Sequence, residues 1–154
     1  MLVSLSILVR KIRRLKKQKK KIVFTNGCFD LLHAGHIRLL KIAKGLGDVL
    51  IVGLNSDRSA RKLKGPGRPI ALEKDRAEVL FAVRYVDYVV LFSEPTPLKL
   101  IQALSPDVLV KGADYRMSAI IGADWVESYG GRVVRIPLLK GRSSSVILKK
   151  LKRL

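Results

Sequence analysis

Short apolar runs alternate with amphipathic stretches along almost the whole chain. Five runs predict β-strands because they are short, rich in branched residues and bounded by turn residues. They are KIVFTN (21–26), DVLIVGL (48–54), YVDYVVLF (85–92), PDVLVKG (106–112) and RVVRIPL (132–138). DVLIVGL is continuously apolar, which is typical of a strand buried on both faces.

Helical spacing fills the intervals between these runs. Leu5, Leu8, Ile12 and Leu15 recur three or four residues apart and predict a leading helix with a basic opposite face. Further helices are predicted over 33–47, 72–83, 96–104, 117–131 and 143–154, with Thr96 as an N-cap and a helical turn over 55–69 that runs into a Gly/Pro loop.

This alternation predicts a doubly wound α/β fold with a mostly parallel, Rossmann-like sheet of five strands. We expect a single domain over 21–154, preceded by a basic leading helix over 1–20. In such sheets ligands bind beyond the carboxyl ends of the strands, where the strand order reverses. We therefore expect the functional residues to lie directly after the strands.

The charge of the chain adds an expectation about ligands. The 154 residues carry a formal net charge of +19, and nine of the twelve residues in RKIRRLKKQKKK (10–21) are Lys or Arg. Such a field attracts nucleotides, sugar phosphates, nucleic acids and acidic membrane surfaces. For the basic run itself we favour a solvated helix face.

The cysteine content and the hydropathy of the chain predict where in the cell the protein is located. Cys28 is the only cysteine, which excludes an intramolecular disulfide framework. The apolar run at the start has nine residues, well short of the ~20 that a membrane span needs, and it lacks the order of a secretory signal. We expect a cytoplasmic protein.

The stretch NGCFDLLHAGH (26–36) follows the first predicted strand and places His33 and His36 at the start of a helix. Unpaired backbone N–H groups and the helix dipole favour an anion there, and the small Gly35 lets a ligand approach the backbone. Zinc pairs on helices usually lie four residues apart, and the chain has two histidines and one cysteine, so a metal site is not predicted. Capping or packing roles for the histidines remain the alternative.

Four motifs in order carry a family resemblance. TNGCFDLLHAGH (25–36), NSD (55–57), RYVD (84–87) and GRSSSVI (141–147) resemble the cytidylyltransferase-like nucleotidyltransferases, whose hallmarks are a His-x-Gly-His motif and a Ser/Thr-rich motif opening the last helix. Within that family, LKGPGRP (63–69) and LVKGADY (109–115) look most similar to the heptose 1-phosphate adenylyltransferases. These make ADP-heptose for lipopolysaccharide.

The resemblance implies attack of a sugar 1-phosphate on the α-phosphorus of ATP, with D-glycero-β-D-manno-heptose 1-phosphate as acceptor and pyrophosphate as leaving group. It implies catalytic roles for His33, His36 and Lys64. It implies nucleotide or phosphate contacts for Thr25, Asn26, Gly27, Phe29, Gly35, Lys111, Gly112, Asp114, Arg142, Ser143, Ser144 and Ser145. It implies substrate contacts for Asp30, Asn55, Asp57 and Arg68, with Asp30 also able to orient Mg²⁺ through water.

Magnesium is expected to arrive with ATP, because it keeps its waters and bridges phosphates. A homodimer is also expected from the resemblance. Each assignment has a structural alternative. Lys64 and Arg68 could be solvated loop charges, the three serines could only cap a helix, and Asp57 could cap the helix that it opens.

Other functions stay open at the level of sequence. A cytidylyltransferase acting on a polyol phosphate of the glycerol 3-phosphate type or on an amino-alcohol phosphate, or an adenylyltransferase like FAD synthetase, would use the same motifs. A non-catalytic module that binds nucleic acid through its charge is the alternative of a different class. With only 6% aromatic residues, the chain lacks the stacking surface that single strands prefer.

Overall fold

A computed structural model describes residues 3–137, 139 and 141–151. Within these residues five strands form one sheet in the order β3-β2-β1-β4-β5, and every neighbouring pair is parallel. The strands are β1 (Ile22–Gly27), β2 (Val49–Asn55), β3 (Tyr88–Phe92), β4 (Val108–Gly112) and β5 (Arg132–Ile136). The predicted doubly wound fold is confirmed, and the sheet is parallel throughout.

Helices cover both faces of this sheet. They are α1 (Leu5–Lys17), α2 (Ala34–Lys44), α3 (Asp57–Lys64), α4 (Glu73–Ala82), α5 (Leu98–Leu104), α6 (Ala123–Ser128) and α7 (Ser144–Leu151), with a 3-10 turn at Met117–Ala119. Successive strand residues point to opposite faces, so Phe24 belongs to the core under α1 and α5, and Val23 to the core under α2 and α4. No helix in the described part of the chain combines the length and the apolar character that a membrane crossing requires.

The strand order reverses at β1, and this reversal places the crevice. The chain builds β2 and then β3 on one side of β1, and β4 and then β5 on the other. The connections that leave the carboxyl ends of β1 and β4 therefore diverge. A doubly wound sheet binds ligands at this point.

The leading helix α1 is part of the packed core. Leu8 and Ile12 are fully buried, Leu15 is partly buried, and the Lys16 ammonium donates to the Ser105 carbonyl. The other predicted apolar position, Leu5, is exposed. The spacing therefore identified the correct helix, and its basic side faces solvent. The domain boundary near residue 20 stays a prediction.

One predicted helix is wrong, and a second begins later than expected. The stretch 117–131 is a 3-10 turn followed by α6, because Gly122 adopts φ +86° between them. A Cβ on Gly122 would lie 2.7 Å from Ile101 Cδ1, so this break packs closely on α5. Helix α5 begins at Leu98 with Pro97 at the N-cap position, where Thr96 was expected. The predicted extension of the last helix over 152–154 lies outside the described residues.

The aspartate of RYVD has a structural position. Asp87 accepts the Leu50 backbone N–H at 2.7 Å and the Lys44 ammonium at 2.6 Å. It therefore ties the start of β3 to β2 and to the end of α2.

Candidate active site

A cleft of about 600 Å³ opens at the carboxyl ends of β1, β2 and β4. Nearly all the residues predicted for the site line it, and Asp57 is the exception. They are Thr25, Asn26, Gly27, Phe29, Asp30, His33, Gly35, His36, Asn55, Lys64, Arg68, Lys111, Gly112, Asp114, Arg142, Ser143, Ser144 and Ser145. The fold thus brings five separated motifs into one cavity, while the role of each residue stays a prediction.

His33 is the N-cap of α2. Its Nδ1 accepts the Gly35 backbone N–H at 3.1 Å. A neutral imidazole that accepts at Nδ1 carries its proton at Nε2, so His33 can donate to an anion. Burial lowers its pKa, which favours this neutral form. The capping alternative and the predicted phosphate contact are therefore compatible, because they use different nitrogens.

His36 lies beneath His33 in a stack. The two ring centroids are 3.9 Å apart with 25° between the planes, and the Phe29 ring lies 5.1 Å from His36. Burial, followed by the electrostatic effects of the neighbouring His33 and Lys64, lowers the pKa of His36 to about 4. Its Nδ1 is buried and makes no hydrogen bond with the described residues. An unpaired buried polar atom is costly to the fold.

The start of α7 closes the cleft opposite α2. Ser143 Oγ accepts the Val146 backbone N–H at 3.2 Å and so caps α7, as the structural alternative expected. Ser144 Oγ donates to the Leu31 carbonyl at 3.2 Å and ties α7 to the loop that precedes α2. A Cβ on Gly35 would lie 2.9 Å from the His33 ring and 3.3 Å from the Arg142 carbonyl. Glycine at position 35 therefore lets two helix N-termini approach one space.

Lys111 places a buried ammonium at the end of β4. Its Nζ lies 3.4 Å from the Asn26 carbonyl and 5.3 Å from the centre of the Tyr115 ring. Burial lowers the pKa of Lys111 to about 8, against the opposing effect of Asp114. It is thus still mainly charged at pH 7. The Asn26 side-chain oxygen beside it is buried and makes no hydrogen bond among the described residues.

The Gly-rich loop after α3 forms another wall. Lys64 is the last residue of α3, and it is exposed at the cleft. Arg68 donates from Nε to Asp30 Oδ2 at 2.6 Å. Asp30 Oδ1 also accepts the backbone N–H groups of Ile70 at 2.7 Å and Ala71 at 3.1 Å. Asp30 therefore binds the loop, where substrate or magnesium contacts were expected.

Asp57 lies outside the cleft lining, and its predicted substrate contact has no counterpart in the structure. Its carboxylate accepts Arg76 Nη2 at 2.7 Å. Asn55 lines the cleft, but its amide donates to Ser59 Oγ at 2.8 Å, and its backbone carbonyl accepts from Arg76. Ser56 caps α3 by accepting the Ser59 N–H, where Asp57 was the expected alternative.

Arg76 is the structural residue that the sequence interpretation missed. Its guanidinium is fully buried and donates to the carbonyls of Ala71, Cys28 and Asn55 as well as to Asp57. It therefore joins the loop after β1, the end of β2 and the Gly-rich loop. Its place in the predicted helix could have indicated that it is buried, because Arg76 falls on the same side of α4 as the buried Ala77 and Leu80.

The cleft also has an apolar side that no motif indicated. It includes Pro95, Pro97, Ile120 and Ile121. Cys28 lines the cleft as well, and burial raises the pKa of its thiol. Among the described residues, no group of three or more His, Cys, Asp or Glu side chains could hold a metal ion.

Comparison with known proteins identifies the family. A family model described as cytidylyltransferase-like matches residues 24–151. The chain belongs to the cytidylyltransferase-like family. The assignment to the nucleotidyltransferases that its motifs predicted is thereby confirmed.

Similar sequences include two proteins named bifunctional protein HldE. The protein from Citrifermentans bemidjiense is 53% identical over 148 residues, which are 96% of this chain and 30% of the relative. The protein from Geobacter metallireducens is 56% identical over 138 residues, which are 90% of this chain and 28% of the relative. The chain thus spans less than a third of the length of these curated relatives.

Solved structures share the fold. The lipopolysaccharide core biosynthesis protein from Thermoplasma volcanium is 30% identical with a TM-score of 0.65, over 79% of this chain and 98% of that chain. Pantoate-β-alanine ligase from Francisella tularensis is 18% identical with a TM-score of 0.62, over 100% of this chain and 79% of that chain. This second likeness concerns the fold alone.

Proposed function

We propose that this chain transfers the adenylyl group of ATP to D-glycero-β-D-manno-heptose 1-phosphate, giving ADP-heptose and pyrophosphate. The observation that carries the proposal is the convergence of two stacked histidines, Lys64, Arg68 and the N-termini of α2 and α7 on one cleft. The choice of acceptor is supported by the LKGPGRP and LVKGADY motifs and by the likeness to a solved lipopolysaccharide core biosynthesis protein.

In this reaction an acceptor phosphate oxygen attacks the α-phosphorus, the new P–O bond forms, and the bond to the pyrophosphate oxygen breaks. The acceptor is already an anion at neutral pH, so no strong base is needed. Positioning the reactants and stabilising charge are then the main tasks of the protein. The lowered pKa values of His33 and His36 fit this requirement, because neutral imidazoles can act as hydrogen-bond donors to the reacting phosphate.

The remaining groups are arranged to receive negative charge. Lys64 would bind phosphate as a point charge from the C-terminal end of α3. The N-terminus of α7 with Ser143, Ser144 and Ser145 would receive the leaving pyrophosphate, since unpaired helix N–H groups favour anions. Lys111 and Asn26, at the carboxyl ends of β4 and β1, would contact the nucleoside. Mg²⁺ would enter as part of the nucleotide substrate and screen the charge of its phosphates.

Pyrophosphate release tests the proposal directly. Purified protein with Mg²⁺ is given ATP or CTP, each with heptose 1-phosphate or glycerol 3-phosphate. We expect release only with ATP and heptose 1-phosphate. Release only with CTP and glycerol 3-phosphate would keep the site and the chemistry and overturn the acceptor and the nucleotide.

No release from any pair would favour the non-catalytic alternative, in which the chain binds nucleic acid. Binding of nucleic acid through charge alone should weaken steeply with salt, because each phosphate contact releases counterions. A titration of a mixed-sequence duplex between 50 mM and 200 mM salt distinguishes that behaviour from turnover of a small substrate.

A further inference from the structure

We propose that Asp30 is a positioning residue, which holds the guanidinium of Arg68 toward the phosphate of the acceptor and does not itself bind substrate. The inference rests on the proposed function, since the acceptor phosphate is the anion that Arg68 would meet. It concerns how that anion is recognised.

The carboxylate of Asp30 is buried and hydrogen-bonded within the protein. Its side chain is only 2% exposed. Oδ2 accepts from Arg68 Nε at 2.6 Å, and Oδ1 accepts from the N–H groups of Ile70 at 2.7 Å and Ala71 at 3.1 Å. A buried carboxylate with three short donors from one loop is satisfied by the protein. Its negative charge would also repel a phosphate that came into direct contact.

Asp30 binds the guanidinium of Arg68 through its Nε atom. Asp30 takes the Nε edge of the guanidinium, and the two terminal amino groups make no hydrogen bond with the described residues. The side chain lines the cleft and is 14% exposed. Two parallel N–H donors on a planar group match two phosphate oxygens. The ion pair thus leaves free the part of the guanidinium that recognises phosphate.

The loop explains why such a restraint is useful. Gly65 and Gly67 have φ values of +87° and +73°, and a Cβ on either would meet nothing within 4 Å. A glycine-rich segment in open space has much conformational freedom to lose on binding. Asp30 follows the central strand β1 and anchors the far end of the loop at residues 70–71. Ordering Arg68 before the acceptor arrives lowers the entropic cost of binding.

Two substitutions separate Asp30 from its partner. Asp30→Asn keeps Oδ1 for the two loop amides and replaces the acceptor of Arg68 Nε by an amide that donates. Arg68→Ala removes the guanidinium. We expect each single variant to raise the KM for the acceptor on the order of tenfold, with kcat and the KM for ATP within about twofold, as for lost ground-state binding.

The double variant decides whether Asp30 acts through Arg68. Adding Asp30→Asn to Arg68→Ala should change the acceptor KM by less than about twofold, because the interaction is already gone. A full additional tenfold loss would mean that Asp30 contacts substrate directly and would overturn the proposal, as would an unchanged KM in Asp30→Asn alone. Arg68→Lys serves as the conservative comparison, and we expect it to restore only part of the affinity, since Lys lacks the fork.

Two readouts separate this proposal from simple loss of structure and from failure of the proposed function. Amide hydrogen exchange at Ile70 and Ala71 should stay slow in Asp30→Asn, and fast exchange there would show a collapsed loop. In that case Asp30→Glu, which keeps the ion pair, must retain the wild-type acceptor KM. If heptose 1-phosphate is not an acceptor at all, the same cycle is run calorimetrically with inorganic phosphate. Binding weakened by Arg68→Ala and unaffected by Asp30→Asn would then overturn the pairing.

Discussion

His33 uses its two ring nitrogens for different purposes. Nδ1 accepts the Gly35 amide and fixes the tautomer, which leaves the proton at Nε2. His36 stacks on it with a pKa of about 4, so the pair at neutral pH is a set of uncharged donors at the N-terminus of α2. At the residue scale the candidate site is therefore arranged to receive an anion.

The two histidines should be needed for turnover. We expect His33→Ala and His36→Ala each to lower kcat by about 10²-fold or more, the range found when a charge-stabilising donor is removed. Cys28→Ala, which changes another residue of the same cleft, is the matched control and should stay within about threefold. Circular dichroism must show that all three variants are folded, and equal losses in the control would contradict the assignment.

Stability should depend on pH through His36. Its pKa is about 4 in the folded chain and 6.5 in the unfolded chain, so the unfolded state binds more protons between these values. The free energy of unfolding should therefore be highest above pH 6.5 and fall toward pH 4, by up to about 3 kcal/mol. Urea unfolding of the free protein across this range measures it.

A non-titrating side chain isolates this contribution. In His36→Gln the free energy of unfolding should fall less between pH 6.5 and pH 4 than in the wild type. The difference should be most of the about 3 kcal/mol attributed to His36. Parallel profiles for the two proteins would show that other groups cause the acid sensitivity.

At the scale of elements, α1 is as much a part of the core as the helices that follow it. Leu8 and Ile12 face the sheet beside α5, and the cations of α1 other than Lys16 are exposed to solvent. The helix predicted over 117–131, in contrast, is interrupted in the structure. Its apolar residues suit a helix, but Gly122 with φ +86° breaks it where α5 comes close.

Core truncation in α1 should destabilise the whole domain. Leu8→Ala removes a fully buried side chain and should cost about 2–5 kcal/mol of unfolding free energy. Leu5→Ala, on the same helix but 39% exposed, should cost about 0.5 kcal/mol or less. Denaturant unfolding compares them. Equal, small effects would mean that α1 folds apart from residues 21–154 and would support the predicted boundary.

At the scale of the whole molecule, the C-terminal end of the basic run and the cleft lie at opposite ends of β1. Lys21 precedes β1, and the cleft residues Thr25, Asn26 and Gly27 end it. Six strand residues at about 3.3 Å each separate the two ends by about 20 Å. The Debye length at physiological salt is only about 8 Å, so the charges at this end of the basic run are largely screened from the cleft.

The charge of α1 should contribute little to turnover, because its exposed cations face solvent and none of them lines the cleft. A variant with Arg10, Arg14 and Lys17 each replaced by Gln should keep kcat/KM within about twofold at 0.15 M salt. Lys64→Gln changes one charge at the cleft and should lower kcat/KM on the order of tenfold or more. If the triple variant loses as much as Lys64→Gln, the basic run reaches the substrate and the solvated-face interpretation is wrong.

The sequence by itself determined the five strands, the parallel doubly wound sheet and the edge at which the site lies. These follow from local patterns, because strand and helix periodicities and turn residues act within a few positions of each other. Histidines at a helix start and serines before the last helix are local features too. Their convergence on one cleft then follows from the topology.

Only the tertiary structure decided which polar groups are used by the protein and which remain for a ligand. Asp30 and Asp57 lie close to the site in sequence, yet one binds the Gly-rich loop and the other the buried Arg76. The partners are 38 and 19 residues away. Hydrogen bonding depends on distance in space, which the order of residues leaves open until the chain has packed.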